Sequence, residues 1–274
     1  MKALPALMSI LNGVEYVFHE AGLVSVPASI SQPLDNHEIN ITGTLNVLEA
    51  AAKCGVKRVV MASSAAIYGN SPELPKTEKM LPVPDSPYGL ASVAKEHYAS
   101  IYSKLYDLSV VSLRYFSVYG PRQAPSSPYS GVISRFVETL AAGEVPTIFG
   151  DGEQTRDFVF VKDVVKANLL AMEHPDITGG EVYNIATGHA VSLLELLQTV
   201  NPLNSADTKP IFDQARPGDI RHSRACISKA KCYLGYEPSF TLEEGLSDLL
   251  AWSQGRPEWR EGEVTPSDPK DPNP

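Results

Sequence analysis

Two hydroxyls and a lysine stand at spacings that suit proton chemistry in SSAAIYG, residues 63–69, and SPYGLASVAKEHYAS, residues 86–100. Ser64 closes an apolar run that reads as a buried strand. Tyr88 opens a run that reads as a helix, after the Pro-rich LPVPDSP. At the carboxyl end of a parallel strand both hydroxyls face the crevice in which ligands bind, so both can meet one substrate hydroxyl. The same residue types also serve as strand-end and helix-cap groups, and the pattern alone leaves both readings open. A free phenol ionises near pH 10, so about one Tyr88 in a thousand is anionic at pH 7 without help. A cation one helical turn on would give that help, because side chains at i and i+4 share a face. Ser92 holds that position and supplies no charge. Lys95, at i+7, shares the face but lies about 10 Å further along the axis, which predicts intervening solvent.

The elements that must carry these groups are legible as an alternation. Strand-like apolar runs at 14–21 (VEYVFHEA), 57–64 (KRVVMASS) and 109–116 (SVVSLRYF) are separated by helical periods within 33–55 and from Tyr88 onward. Such an alternation predicts an α/β fold with a parallel sheet and crossover helices. After Gly120 the texture turns Pro-, Ser- and Gly-rich around a helix pattern, ISRFVETLAAG, and a short strand, PTIF. DFVFVKDVVKANLLAME returns to strand and helix, followed by strand EVYNIA, helix SLLELLQTV, strand KPIFD, loop QARPGDIRHS and two closing helices. The organisation expected is a sheet domain over 1–120, rejoined by 153–186, with a smaller cap from 121–152 and 187–254. The polar, Pro-rich 255–274 reads as a disordered tail. No GxGxxG or GxxGxxG occurs; GDGEQT, at 150–155, ends in Thr155.

Composition narrows the partners. A chain of 274 residues, 43% hydrophobic, can bury a substantial core. Its formal charge of −9 argues against a nucleic-acid or anionic-membrane surface, which leaves small molecules. Cys54, Cys226 and Cys232 are odd in number and show no CxxC spacing, which predicts a reducing compartment and no metal site. No apolar run reaches membrane-spanning length and MKALPALMSILNG lacks a signal-peptide pattern, so a cytoplasmic protein is expected.

Nine blocks in order carry a resemblance: AGLVSV, INITGTLNVLEAA, SSAAIYG, SPYGL, LRYFSVYGPRQ, PSSPYSGVISRF, FGDGEQTRDFVFVKDVV, YNIATG and RPGDIRHS. From about Val14 to Trp252 the chain resembles the extended short-chain dehydrogenase/reductase superfamily, and within it the NAD-dependent UDP-glucose and UDP-N-acetylglucosamine 4-epimerases. The resemblance implies a Rossmann-like doubly wound sheet, here N-terminally truncated, with a substrate-binding cap. It implies oxidation of the sugar 4-hydroxyl by NAD, rotation of the 4-keto sugar and reduction from the other face. Tyr88 then fills the place of the base and Ser64 that of the hydroxyl sharing its proton. Cofactor contacts fall at Ala21, Gly22, Leu23, Tyr115 and Phe116, with Asn40 either structural or supporting that site. Substrate contacts fall at Ser117, Arg156 and Arg216 near the diphosphate, Asp219 at the uridine ribose, and Ser223, whose small side chain leaves room for an N-acetyl group. Arginines suit phosphate oxygens and a carboxylate suits a vicinal diol. A homodimer through the Tyr88 helix is also implied.

Three departures from the pattern stand beside it. The Gly-rich turn is missing, Ser92 replaces the lysine of YxxxK, and Ser117 replaces an Asn. They keep open a second expectation, a truncated non-catalytic homologue that binds a UDP-sugar or a partner subunit. A sheet beginning at VEYVFHEA is further expected to expose that strand's edge, an invitation to pairing or aggregation.

Overall fold

The run RVVMASS forms a central strand because apolar side chains occupy both of its faces. The computed structural model describes residues 3–123, 131–203, 206–215 and 220–255. The first part runs α1 (Leu4–Leu11), β1 (Tyr16–His19), α2 (Val26–Ser31), α3 (Pro33–His37), a π turn (Glu38–Thr42) and α4 (Gly43–Lys53). It continues through β2 (Arg58–Ser64), a 3-10 turn (Ala65–Tyr68), α5 (Pro87–Leu105), β3 (Ser109–Tyr115) and β4 (Ser117–Tyr119). Next come α6 (Val132–Ala141), β5 (Thr147–Phe149), β6 (Thr155–Arg156), β7 (Phe158–Phe160) and α7 (Val161–Glu173). The remainder is β8 (Val182–Ile185), β9 (Val191–Ser192), α8 (Leu193–Leu203), β10 (Ile211–Asp213), α9 (Ser228–Leu234) and α10 (Leu242–Gln254).

The main sheet has the order β1-β2-β3-β8, all parallel, with Ser64 opposite Tyr115 in the register. Successive side chains of a strand point to opposite faces. Val59, Met61 and Val110 accordingly join Leu48, Ala51, Ala99 and Leu11 in the core beneath α1, α4 and α5. Val60, Val111 and Leu113 join Ala167, Ala171, Leu234 and Tyr236 beneath α7 and α9. A separate core gathers Ile133, Phe136, Ile148, Phe160, Leu196 and Leu246 from α6, β5, β7, α8 and α10. β1 lies at the sheet edge, with Tyr16 40% and Phe18 42% exposed.

Two features differ from the sequence reading. α1 was expected as no element, yet Pro5 sits in its first turn, where a missing N–H costs nothing, and Leu4, Leu7, Met8 and Leu11 pack on the α4 side. The single helix expected within 33–55 is broken into α3, the π turn and α4. The π turn aims Asn40 inward, and such turns recur at functional sites. No helix among the described residues is long and apolar enough to cross a membrane.

Candidate active site

Ser64 and Tyr88 meet at the carboxyl end of β2. Ser86 caps α5 by accepting from Gly89 N at 3.1 Å, and Pro87 holds the first helical position, so the helix starts with Tyr88 fixed in its first turn. Gly89 has no room for a side chain: a Cβ would stand 2.7 Å from Ala66 O, so the helix abuts the turn after Ser64. Ser64 Oγ accepts the Ala66 N–H at 3.1 Å, and its hydroxyl lines the same cavity as the Tyr88 phenol. Burial pushes the Tyr88 phenol above its ordinary range, and the Ser64 hydrogen bond pulls the other way. Ser92 is buried and donates back to Tyr88 O at 3.2 Å, so it caps the backbone of its own helix and does not reach the phenol.

Both hydroxyls line a cavity of about 700 Å³. Of the residues singled out from sequence, Ser64, Tyr88, Tyr115, Phe116, Ser117 and Arg156 lie in its wall. Ala21, Gly22 and Leu23 form the loop between Glu20 and Val24, which do line it. Ser223 lies outside the wall and donates its N–H to Thr155 O at 3.1 Å, beside Arg156. Arg216, Asp219 and the tail 256–274 lie outside the described residues. Sequence reasoning missed Arg135, which places a second guanidinium in the wall with Arg156, and Glu20. The pattern ISRFVETL offered Arg135 as a polar break in an otherwise apolar helix face; HEAG offered no signal for Glu20.

Asn40 has a structural role, holding the backbone at Leu23. Its Oδ1 accepts from Leu23 N at 2.8 Å and its Nδ2 donates to Leu23 O at 2.9 Å and to Asn36 Oδ1 at 2.8 Å. The loop at 21–23 is therefore held by one side chain, and a Cβ on Gly22 would meet Asn40 Oδ1 at 2.8 Å. Asn40→Ala is expected to cost about 1–3 kcal/mol, because Leu23 would keep a backbone donor and acceptor with no replacement partner. Urea denaturation measures it; an unchanged midpoint would show that the loop has another support.

Lys95 departs from expectation most. It is 8% exposed, with no solvent gap around it, and its Nζ donates to Ala62 O at 2.6 Å. Burial lowers its pKa to about 8, opposed by the carboxylates of Glu20 and Glu96. Tyr115 OH donates to Glu20 Oε1 at 3.1 Å and accepts from Asn168 Nδ2 at 2.8 Å. Neighbouring His19 is buried, bonded to Thr44 Oγ1 at 2.9 Å, and lowered to about 4 by burial and by the Lys95 charge, so it stays neutral.

Ser64, Tyr88, Arg135 and Arg156 thus line one cavity, with Ser64 at the end of a parallel strand. The model of the NAD dependent epimerase/dehydratase family matches residues 2–186. The chain belongs to that family. A UDP-glucose 4-epimerase of Mycolicibacterium smegmatis is 38% identical over 243 residues, spanning 88% of this chain and 77% of that one. The UDP-glucose 4-epimerase of Thermotoga maritima, solved with UDP-glucose, superposes with a TM-score of 0.89 at 39% identity, covering 93% of this chain and 82% of its own. The UDP-N-acetylglucosamine 4-epimerase of Methanobrevibacter ruminantium, solved with UDP-N-acetylmuramic acid, gives 0.87 at 37% identity, covering 91% and 79%. The Rossmann-like fold and the NAD-dependent family follow from these matches.

Proposed function

We propose that this chain interconverts the C4 epimers of a UDP-hexose or UDP-N-acetylhexosamine with NAD as cofactor. The Ser64–Tyr88 pair in the cavity wall carries the reading. The residues at the reacting end fit the cofactor: Ala62 to Ser64, Tyr115 and Phe116 line the cavity, and Asn40 holds the loop at Leu23. A Gly-rich turn for the pyrophosphate is not in this sequence. Bound NAD would supply reversible hydride exchange at the sugar C4. The chain's own groups do the rest. Tyr88 oxygen takes the proton of the 4-hydroxyl, and Ser64 shares that proton, so it can return to the same oxygen when the keto group is reduced by hydride. Arg156 and Arg135 hold the diphosphate while the sugar turns.

The carried-over assignments complete the reading. Ala21, Gly22, Leu23, Tyr115 and Phe116 take the cofactor side, built on 1–120 and 153–186. Ser117 and Arg156, from 1–120 and 153–186, and Arg216, Asp219 and Ser223, from the cap of 121–152 and 187–254, take the UDP-sugar. A homodimer on α5 is supported by Leu90, Ile101 and Leu105, exposed along that helix. The three free thiols support a cytoplasmic setting.

Proton NMR of UDP-N-acetylglucosamine or UDP-glucose incubated with the chain and NAD should show the 4-epimer growing to a fixed ratio; a static spectrum with bound substrate favours the second reading. That reading, UDP-sugar binding without turnover, draws on Ser92. Ser223→Tyr is expected to remove binding of the N-acetylated sugar by about 10-fold or more and spare the plain hexose, through lost space. Equal losses for both sugars, measured by calorimetry, would sink the Ser223 assignment.

A further inference from the structure

Asp157 is fully buried and takes no part in the steps above. It stands between β6 and β7, directly after Arg156, and its side chain is not in the cavity wall that Arg156 lines. Successive side chains of extended backbone point to opposite sides, so the carboxylate faces away from the cavity while the guanidinium faces it. Four donors converge on that carboxylate. Oδ1 accepts from Thr187 N at 2.9 Å and Thr187 Oγ1 at 2.7 Å, and Oδ2 accepts from Gly188 N at 3.0 Å and Ala225 N at 3.1 Å. Burial pushes its pKa up and these bonds pull it back; no cation pairs with it among the described residues. Because every partner is a donor, the surroundings fit the anion.

Three residues assigned to the UDP-sugar, from distant stretches of chain, meet around this one side chain. Arg156 precedes it, and the peptide oxygen of Asp157 accepts the N–H of Ser117, which lines the same cavity, at 3.0 Å. Residues 221–225 run beside β6: Thr155 N donates to Arg221 O at 3.0 Å and Ser223 N to Thr155 O at 3.1 Å. The bond from Ala225 N to Oδ2 fixes the end of that run, and with it Ser223. We infer that Asp157 is the positioning residue of the UDP-sugar site, a buried anion whose hydrogen bonds hold Ser117, Arg156 and the Ser223 run in one arrangement. The inference rests on the proposed UDP-sugar reading, which supplies the ligand. An amide cannot take its place: each carboxylate oxygen faces at least one backbone N–H, so Asp157→Asn sets an NH2 against a donor in either orientation.

The test is UDP affinity, read by calorimetry, in wild type, Asp157→Asn and Arg58→Met. Arg58 is the control for lost stability alone: it opens β2 at the end of the sheet away from Ser64, and its guanidinium holds the carbonyls of Ala171, Met172, His174 and Ile177. Arg58→Met should melt earlier and bind UDP as wild type does. Asp157→Asn should bind UDP about 10- to 100-fold more weakly, the range for hydrogen bonds to charged groups, because the competent arrangement becomes a minor population. In the proposed reaction its KM should rise with kcat little changed, since Ser64 and Tyr88 stand on β2 and α5, which these bonds do not touch. A second measurement needs no variant. Coupling is reciprocal, so saturating UDP should slow hydrogen exchange of the Gly188 and Ala225 amides in wild type, although neither residue lines the cavity. The inference is overturned if Asp157→Asn folds and loses no more UDP affinity than Arg58→Met. Should Asp157→Asn not fold, the exchange decides, and unchanged Gly188 and Ala225 amides overturn the inference. Wild type that binds no UDP sinks the UDP-sugar reading and this inference with it, whereas a wild type that binds UDP beside an unaffected variant sinks the inference alone.

Discussion

Replacing Tyr88 by Phe is expected to lower 4-epimerisation by about 10²- to 10⁴-fold, the range for a positioned proton-transfer group, with UDP affinity within a factor of two. In the proposed reaction the removed oxygen serves the 4-hydroxyl and not the nucleotide, so binding of the nucleotide should not register its loss. The pH profile gives a second reading. Burial holds the Tyr88 phenol above its ordinary range and Ser92 supplies no charge at i+4, so the active anionic form is a minor species at neutral pH. Below the phenol pKa that fraction grows about tenfold per pH unit, so wild-type kcat should climb from pH 7 toward 9. The Phe variant should be flat over the same range. Equal rates for Phe and Tyr would remove Tyr88 from the base role.

The largest stability effect is expected at Arg114. Its Nε and Nη2 donate to the two carboxylate oxygens of Glu96 at 2.8 and 2.7 Å, with side-chain exposures of 4% and 9%. Ser63 Oγ adds a bond to Glu96 Oε1 at 2.5 Å, and Arg114 Nη1 donates to Tyr68 OH, which in turn donates to Asn184. Arg114→Met leaves a carboxylate buried and uncompensated, at a cost of about 3–5 kcal/mol. The double change with Glu96→Met should recover most of that, because the pair replaced together by apolar groups strands no charge. Chemical denaturation of the three variants tests it, and losses that simply add would show that the two side chains do not act as a pair. The network also bears on chemistry. Glu96 lies two turns beyond Tyr88 on α5, and Ser63 precedes Ser64 on β2, so the cluster ties the tyrosine's helix to the serine's strand. The double variant should therefore fold and still lose turnover.

The parallel sheet and the placement of Ser64 and Tyr88 were legible because local signals agreed. RVVMASS and SVVSLRYF are apolar on both faces, as strands covered by helices must be. Ser86 and Pro87 mark the start of α5 in the sequence itself. α1 carries an equally clear period, with Leu4, Leu7, Met8 and Leu11 at i, i+3, i+4 and i+7, within a segment short enough to pass for a leader. The π turn was not legible, because nothing in EINIT distinguishes it from the helix it interrupts until Asn40 finds the Leu23 backbone.

Lys95 illustrates the same limit on the functional side. Counting residues along α5 gives its height above Tyr88 correctly, but which strand the helix crosses decides whether its ammonium meets water or Ala62 O. Glu20 and Arg135 were hidden for a related reason: each enters the cavity wall by the way distant elements pack, which neither helix nor strand period encodes.

The claim at the centre of the account is that one cavity holds NAD and a UDP-sugar together. Calorimetric titration of NAD into the chain with UDP saturating tests it most directly. The account predicts saturable binding in the micromolar range with one cofactor per chain. No heat, in a sample that binds UDP, would contradict it and leave a UDP-sugar-binding protein that does not epimerise alone.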